Sequence, residues 1–196
     1  MIKNIIFDVM GVLINYDDYE YIRKFNISKE KIDQVIDIWS DKDIWNLYDL
    51  GKYTIEEIQV LMIKKYPKFE TELKIILNKD WVKMHKLNED VSKFLIDLKQ
   101  KGYNTYILSN LSKEAHNNLR QYEFYNNLDG GVYSYQYGVG KPDKKIYEIL
   151  INKFNFTPNE CVFIDDRQVN LDIAKELGIN TVLFKNIDQL KKEFDI

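Results

Sequence analysis

One cysteine in 196 residues, Cys161, has nothing to pair with inside the chain, which excludes an internal disulfide framework and fits a reducing compartment. It opens an apolar run and reads as a small core residue rather than a nucleophile. Histidine is nearly as scarce. His85 and His116 stand without a partner pattern for a triad or a zinc site, and neither is assigned a function. An excess of one charge is also missing: 28 Lys and Arg against 31 Asp and Glu leave −3, which gives no basic footprint for nucleic acid. An anionic substrate must then be met by local positive groups rather than by the overall field. No apolar stretch is long enough to span a bilayer, and Lys3, Asn4 and Asp8 break any signal-peptide core. No internal repeat or low-complexity linker is visible. A soluble, cytoplasmic protein is expected, with no membrane and no nucleic-acid partner. Its length allows one domain, or a core plus a smaller insert, and 45% hydrophobic residues suffice for a sizeable core.

What is present begins with Ile5-Ile6-Phe7-Asp8-Val9-Met10-Gly11-Val12-Leu13. An apolar run ending abruptly in aspartate reads as a buried strand that offers one carboxylate to a turn, and Gly11 lets backbone approach a ligand there. Between Asp17 and about His85 the spacing predicts helices and no convincing strand. Ile32, Val35, Ile36 and Trp39 make one stripe, Ile55, Ile58 and Leu61 a second, and Leu73, Ile76, Leu77 and Trp81 a third. Thr54 with Glu57 gives a capping box for the second helix. From residue 86 strands alternate with helices, which predicts an α/β fold with a doubly wound, mostly parallel sheet. Val91, Phe94, Leu95 and Leu98 line one helix face. A strand runs to Ser109, a polar helix spans about 112–122, and Gly130-Gly131 turns the chain into a short strand Val132-Tyr133-Ser134-Tyr135. A helix starts after Pro142, a strand ends at Ile164, and a last strand covers Thr181 to Phe184.

Three stretches join Asp8 in order. Tyr106-Ile107-Leu108-Ser109-Asn110 is a strand ending in a hydroxyl and an amide. Gly140-Lys141-Pro142-Asp143 places a lysine before a proline-started helix, and Cys161-Val162-Phe163-Ile164-Asp165-Asp166-Arg167 ends in paired carboxylates. Taken singly these have plain readings: a strand terminator, a solvated lysine, and a helix cap before Arg167. Together, in this order, they resemble the four-part signature of the haloacid dehalogenase-like (HAD) superfamily. The resemblance covers nearly the whole chain and implies a catalytic core at 1–14 and 86–196, with a small helical cap inserted at 15–85. It also implies roles. Asp8 would be the nucleophile that forms an aspartyl-phosphate. Ser109, Asn110 and neighbouring backbone amides would hold phosphoryl oxygens, and Lys141 would offset the charge of phosphate and nucleophile. Asp166, with Asp165 through water, would hold Mg²⁺ beside Asp8 and the backbone carbonyl of Met10. Asn170 either orients this loop or is a plain helix-surface residue. The stretch from Trp45 to Thr54 resembles the part of HAD caps that leans over the site. Trp45 and Tyr48 there either touch the substrate or pack inside the cap.

One position departs from the pattern. Most phosphatases of the superfamily carry a second aspartate two residues after the nucleophile, as general acid and base. Here that position is Met10, which transfers no protons. Dehalogenating relatives also lack it but need no metal, and the acidic pair argues for one. The motif segments look most like capped phosphatases related to bacterial sugar-1-phosphate phosphatases and the N-terminal domain of soluble epoxide hydrolase. The expectation is a Mg²⁺-dependent phosphatase of small phosphorylated metabolites, with a bias toward reactive leaving groups such as sugar-1-phosphates. The alternatives are a 2-haloacid dehalogenase-type hydrolase and a phosphate-ester-binding protein of weak activity.

Overall fold

A computed structural model describes residues 1–39 and 41–194. The chain enters through β1 (Asn4–Phe7), whose four residues are all buried, and then β2 (Ile14–Tyr16). Five helices follow: α1 (Asp18–Ile22), α2 (Lys29–Trp39), α3 (Lys42–Asp49), α4 (Ile55–Lys65) and α5 (Glu70–Ile76). The chain then returns through β3 (His85–Leu87), which pairs antiparallel with β2, Ile14 opposite Leu87 and Tyr16 opposite His85. This two-stranded ribbon lies where no strand is predicted. Three residues a side are too few to show the alternation that marks a strand. At the start of α4, Thr54 Oγ1 accepts from the Glu57 N–H while the Glu57 carboxylate accepts from the Thr54 N–H, the reciprocal pair expected of a capping box.

The rest alternates. In order come α6 (Glu89–Gln100), β4 (Asn104–Ser109), α7 (Lys113–Leu119), β5 (Gly130–Tyr133), α8 (Ser134–Tyr137), α9 (Lys144–Phe154), β6 (Cys161–Asp165), α10 (Gln168–Glu176), β7 (Asn180–Leu183) and α11 (Ile187–Glu193). Asn88 and Asp143 cap α6 and α9 by accepting from backbone N–H groups one turn in. Two differences from the sequence reading concern β5. Gly130 and Gly131 lie in the strand rather than before it, and Ser134 and Tyr135 have left it for α8. A Cβ on Gly130 would fall 2.7 Å from the Phe154 ring, and one on Gly131 would fall 2.8 Å from the Tyr133 hydroxyl. The missing side chains are what let these rings cross the strand.

Five strands form one parallel sheet in the order β5-β4-β1-β6-β7. Successive residues of β1 face opposite layers, as the pleat requires. Ile5 and Phe7 join Phe94, Leu95 and Leu190 in one apolar cluster, which continues into the inserted helices through Ile44, Ile58 and Leu73. Ile6 joins Ile146, Tyr147, Leu150, Leu171 and Ala174 of α9 and α10 in the other. Burial on both faces is what a parallel sheet needs. Phe7 lies between Ile107 and Ile164 in register, so β1, β4 and β6 end side by side. The chain leaves β1 toward β4 on one side and later crosses to β6 on the other. That reversal at the carboxyl edge is where open α/β sheets hold their ligands.

Candidate active site

Asp8 follows β1 directly, Ser109 closes β4 and Asp165 closes β6. The shared strand register therefore brings three residues, far apart in sequence, to one spot. Ser109 donates to Asp8 Oδ1 at 2.7 Å, and the Val9 N–H donates to the same oxygen at 2.7 Å. Lys141 Nζ pairs with Asp8 Oδ2 at 2.8 Å and Asp165 Oδ2 at 2.7 Å. All four side chains are buried. Charges withdrawn from water persist only when paired, and here each carboxylate oxygen that faces the lysine is paired. Burial pushes the Asp8 carboxyl up to about 7; Lys141 works against the rise and the Asp165 charge adds to it.

Asp165 is engaged on every side. Its oxygens also accept from the Arg167 N–H at 2.8 Å and from Asn170 Nδ2 at 3.0 Å. Asp166 is the exposed member of the pair. A Cβ on Gly11 would meet the Asp166 carboxylate, and the backbone there, at φ +81°, favours glycine. Oxygens of Asp8, Asp165 and Asp166 lie within 4.8 Å of one another. The set is purely oxygen, anionic and partly open, which fits Mg²⁺ better than a softer metal. Asn170 Oδ1 is buried without a partner among the described residues, and Asn170 borders the same cavity, so a cation's water shell would supply its missing donor.

Asn110 borders the cavity, and its side chain is engaged elsewhere as well. Its Oδ1 accepts from the Lys141 N–H at 2.7 Å and its Nδ2 donates to the Lys141 carbonyl at 2.9 Å. One N–H of Nδ2 and one lone pair of Oδ1 remain for a substrate. Gly140 makes room for this tie, since a Cβ there would sit 2.6 Å from Asn110 Oδ1.

The cavity above this floor measures about 600 Å³, and α3 of the inserted segment lines it. Trp45 lines it, half-buried, stacked on Tyr48 with ring centroids 5.2 Å apart. Tyr48 does not line it, which corrects its reading as a substrate contact. It is 2% exposed, donates to Glu114 at 3.0 Å and accepts from Trp81 Nε1 at 3.1 Å. Its i,i+3 spacing from Trp45 puts both rings on one helix side, and the α7 contact fastens that side to the sheet domain. Met10, Tyr16 and Asp49 also line the cavity. The sequence reading singled out neither Tyr16 nor Asp49. A signal for Asp49 existed: it is the last residue of α3, where the helix dipole disfavours an anion.

A haloacid dehalogenase-like hydrolase family model matches residues 2–178. The chain is similar to D-ribitol-5-phosphate phosphatase of Bacteroides thetaiotaomicron, 27% identical over all of this chain and 98% of that protein. It is also similar to bifunctional epoxide hydrolase 2 of Sus scrofa, 31% identical over 56% of this chain, a match spanning only 21% of that longer protein. A HAD family enzyme of Bacteroides thetaiotaomicron, solved with magnesium and inorganic phosphate, superposes with a TM-score of 0.73 at 24% identity, covering 94% of this chain and 95% of that one. No helix among the described residues is long and apolar enough to cross a membrane.

Proposed function

Because the chain belongs to the haloacid dehalogenase-like hydrolase family, we propose that it is a Mg²⁺-dependent phosphatase of small phosphorylated metabolites, working through an aspartyl-phosphate on Asp8. The observation that carries this reading is the floor itself. A buried carboxylate is held between a lysine and a serine, with two further carboxylates beside it, under a cavity of small-molecule size. Asp8, which borders the cavity, attacks phosphorus with a carboxylate oxygen, while the Val9 N–H and Ser109 fix its rotamer. Lys141 lies against the nucleophile and balances charge that gathers on the phosphoryl oxygens. The leaving oxygen departs into the cavity, and water then attacks the phosphoryl-aspartate and regenerates Asp8. Asp8, Asp166, the Met10 carbonyl and, less directly, Asp165 would hold Mg²⁺, which would neutralise phosphate charge and favour the ionised form of Asp8. The helices between β2 and β3 serve as the cap. Lys42, Asp43 and Asn46 on its cavity side suit the hydroxyls of a sugar or polyol phosphate.

The relatives support a small phosphate ester as substrate, one of them being a ribitol-5-phosphate phosphatase. The test is release of inorganic phosphate from an aryl phosphate, followed by a screen of sugar and polyol phosphates. Release that needs Mg²⁺ and stops in EDTA is expected. Halide release from a 2-haloacid in EDTA would replace this reading with dehalogenation, and binding of phosphate esters without turnover would replace it with sensing.

A further inference from the structure

Met10 leaves the floor without a proton carrier beside the leaving oxygen, yet a carboxylic acid stands across the cavity. Asp49 lines that cavity from the end of α3, together with Asp8 and Met10. Three contacts fasten its neighbourhood to the sheet domain. The Tyr48 hydroxyl reaches Glu114, the Asp49 carbonyl accepts from Ser134 Oγ at 2.5 Å, and Gly51 lies so close to the Tyr135 carbonyl that a Cβ would meet it at 2.8 Å. Ser134 in turn accepts from the Leu111 N–H, two residues after Ser109. Asp49 is thus placed relative to the floor by the same segment that carries Ser109.

We propose that Asp49, from the cap, is the general acid and base of this enzyme, in place of the residue absent at Met10. This rests on the phosphatase reading above. In the first step Asp8 forms its bond to phosphorus, the ester P–O bond breaks, and the Asp49 carboxyl gives its proton to the departing alkoxide, which leaves as the alcohol. In the second step a water oxygen bonds phosphorus and the Asp8–phosphorus bond breaks. The ionised Asp49 takes the proton that water sheds and returns to its starting form.

The surroundings suit that task. Burial pushes the Asp49 carboxyl up to about 8, opposed only by the backbone N–H of Ser112, so it carries a proton at neutral pH. Being neutral, it does not repel a phosphate dianion. Among the described residues no cation pairs with it. On α3 itself, Lys42 and Asp43 line the cavity from the helix's first turn, and Asp41, which caps that turn, is paired with Lys65 of α4. From α7, Glu114 is engaged by Tyr48, and from α8, Tyr135 is hydrogen-bonded to His116. From β2, Tyr16 lines the same cavity with about half of its surface open to solvent. Across the cavity stand Asp8, Lys141, Asp166 and Arg167.

The test is steady-state kinetics with Mg²⁺ on phosphate esters ordered by leaving-group basicity, from aryl phosphates to glycerol and polyol phosphates. In Asp49→Asn, kcat/KM for the alkyl esters should fall on the order of 10²–10⁴-fold, and that for aryl esters much less. Adding Met10→Asp to that variant should recover much of the alkyl activity. In the native enzyme kcat/KM should fall above about pH 8 with alkyl esters, and that limb should be absent in Asp49→Asn. Equal loss across all leaving groups, or no loss, would overturn the assignment and leave the phosphatase reading standing. A native enzyme inert on every ester would end both. The native pH profile carries the test alone if Asp49→Asn melts early.

Discussion

The carboxyl edge of the sheet and the helices above it satisfy their polar groups in opposite ways. At the edge, Asp8, Ser109, Lys141 and Asp165 are buried and closed upon one another by bonds of 2.7–2.8 Å. Above it, the rings of Trp39, Trp45, Tyr48 and Trp81 pack with centroids 5.2–6.4 Å apart; of these Trp45 borders the cavity, beside Lys42, Asp43, Asn46 and an Asp49 that meets no cation among the described residues. The edge is preorganised by charge, and the wall by packing. Chemistry that depends on fixed charge belongs below, and recognition and proton transfer belong above.

Substitutions can break that division, and the largest effect lies at the edge. Asp8→Asn keeps shape and loses the nucleophile, so phosphate release should fall on the order of 10⁴-fold or more while the melting transition persists. Turnover within tenfold of native would show that Asp8 does not carry the phosphoryl group.

The acidic pair sharpens the contrast, because its two members differ in their surroundings. Asp166→Ala should raise the Mg²⁺ concentration for half-maximal rate by at least about tenfold, with little change in melting. Asp165→Ala strips partners from Lys141, Arg167 and Asn170 together, and should cost about 3–5 kcal/mol of stability by denaturant titration. Unchanged metal dependence in the Asp166 variant would remove it from the ion's ligands.

The smallest effects separate two stacked rings of the wall. Trp45→Ala should raise KM several-fold with kcat nearly intact, since this ring borders the cavity. Tyr48→Phe should leave KM unchanged and cost about 1–3 kcal/mol by denaturant titration, through the lost bond to Glu114 and the partner taken from buried Trp81 Nε1. A KM effect in the Tyr48 variant would return it to the substrate.

The edge was legible in the sequence because each of its parts is local: an apolar run, then a polar residue where the run stops. Asp8, Ser109 and the Asp165-Asp166 pair announce themselves that way, and parallel pairing brings them together. Helix stripes such as Val91, Phe94, Leu95 and Leu98 were equally plain, since burial of one face leaves a 3.6-residue period. The wall was not legible in the same way. Trp45 and Tyr48 share a helix side, and only the contact with Glu114 decides which ring meets the cavity. Asn110 reads as a ligand contact, and its two bonds to Lys141 come only from the folded loops. The ribbon of β2 and β3 and the closing helix α11 are too short to leave a period, and Asp49 carries meaning only through what surrounds it.

The tie between Asn110 and Lys141 has a mechanical consequence. One amide side chain accepts from a backbone N–H and donates to the carbonyl of the same residue, which is what a neighbouring strand would do. It acts as a substitute rung between two loops that no ladder joins. The residue after Ser109 is thereby tied to the backbone that carries the Lys141 ammonium. In amide hydrogen exchange the Lys141 N–H should be protected like a strand amide although it lies in a loop, opening only when that tie comes apart.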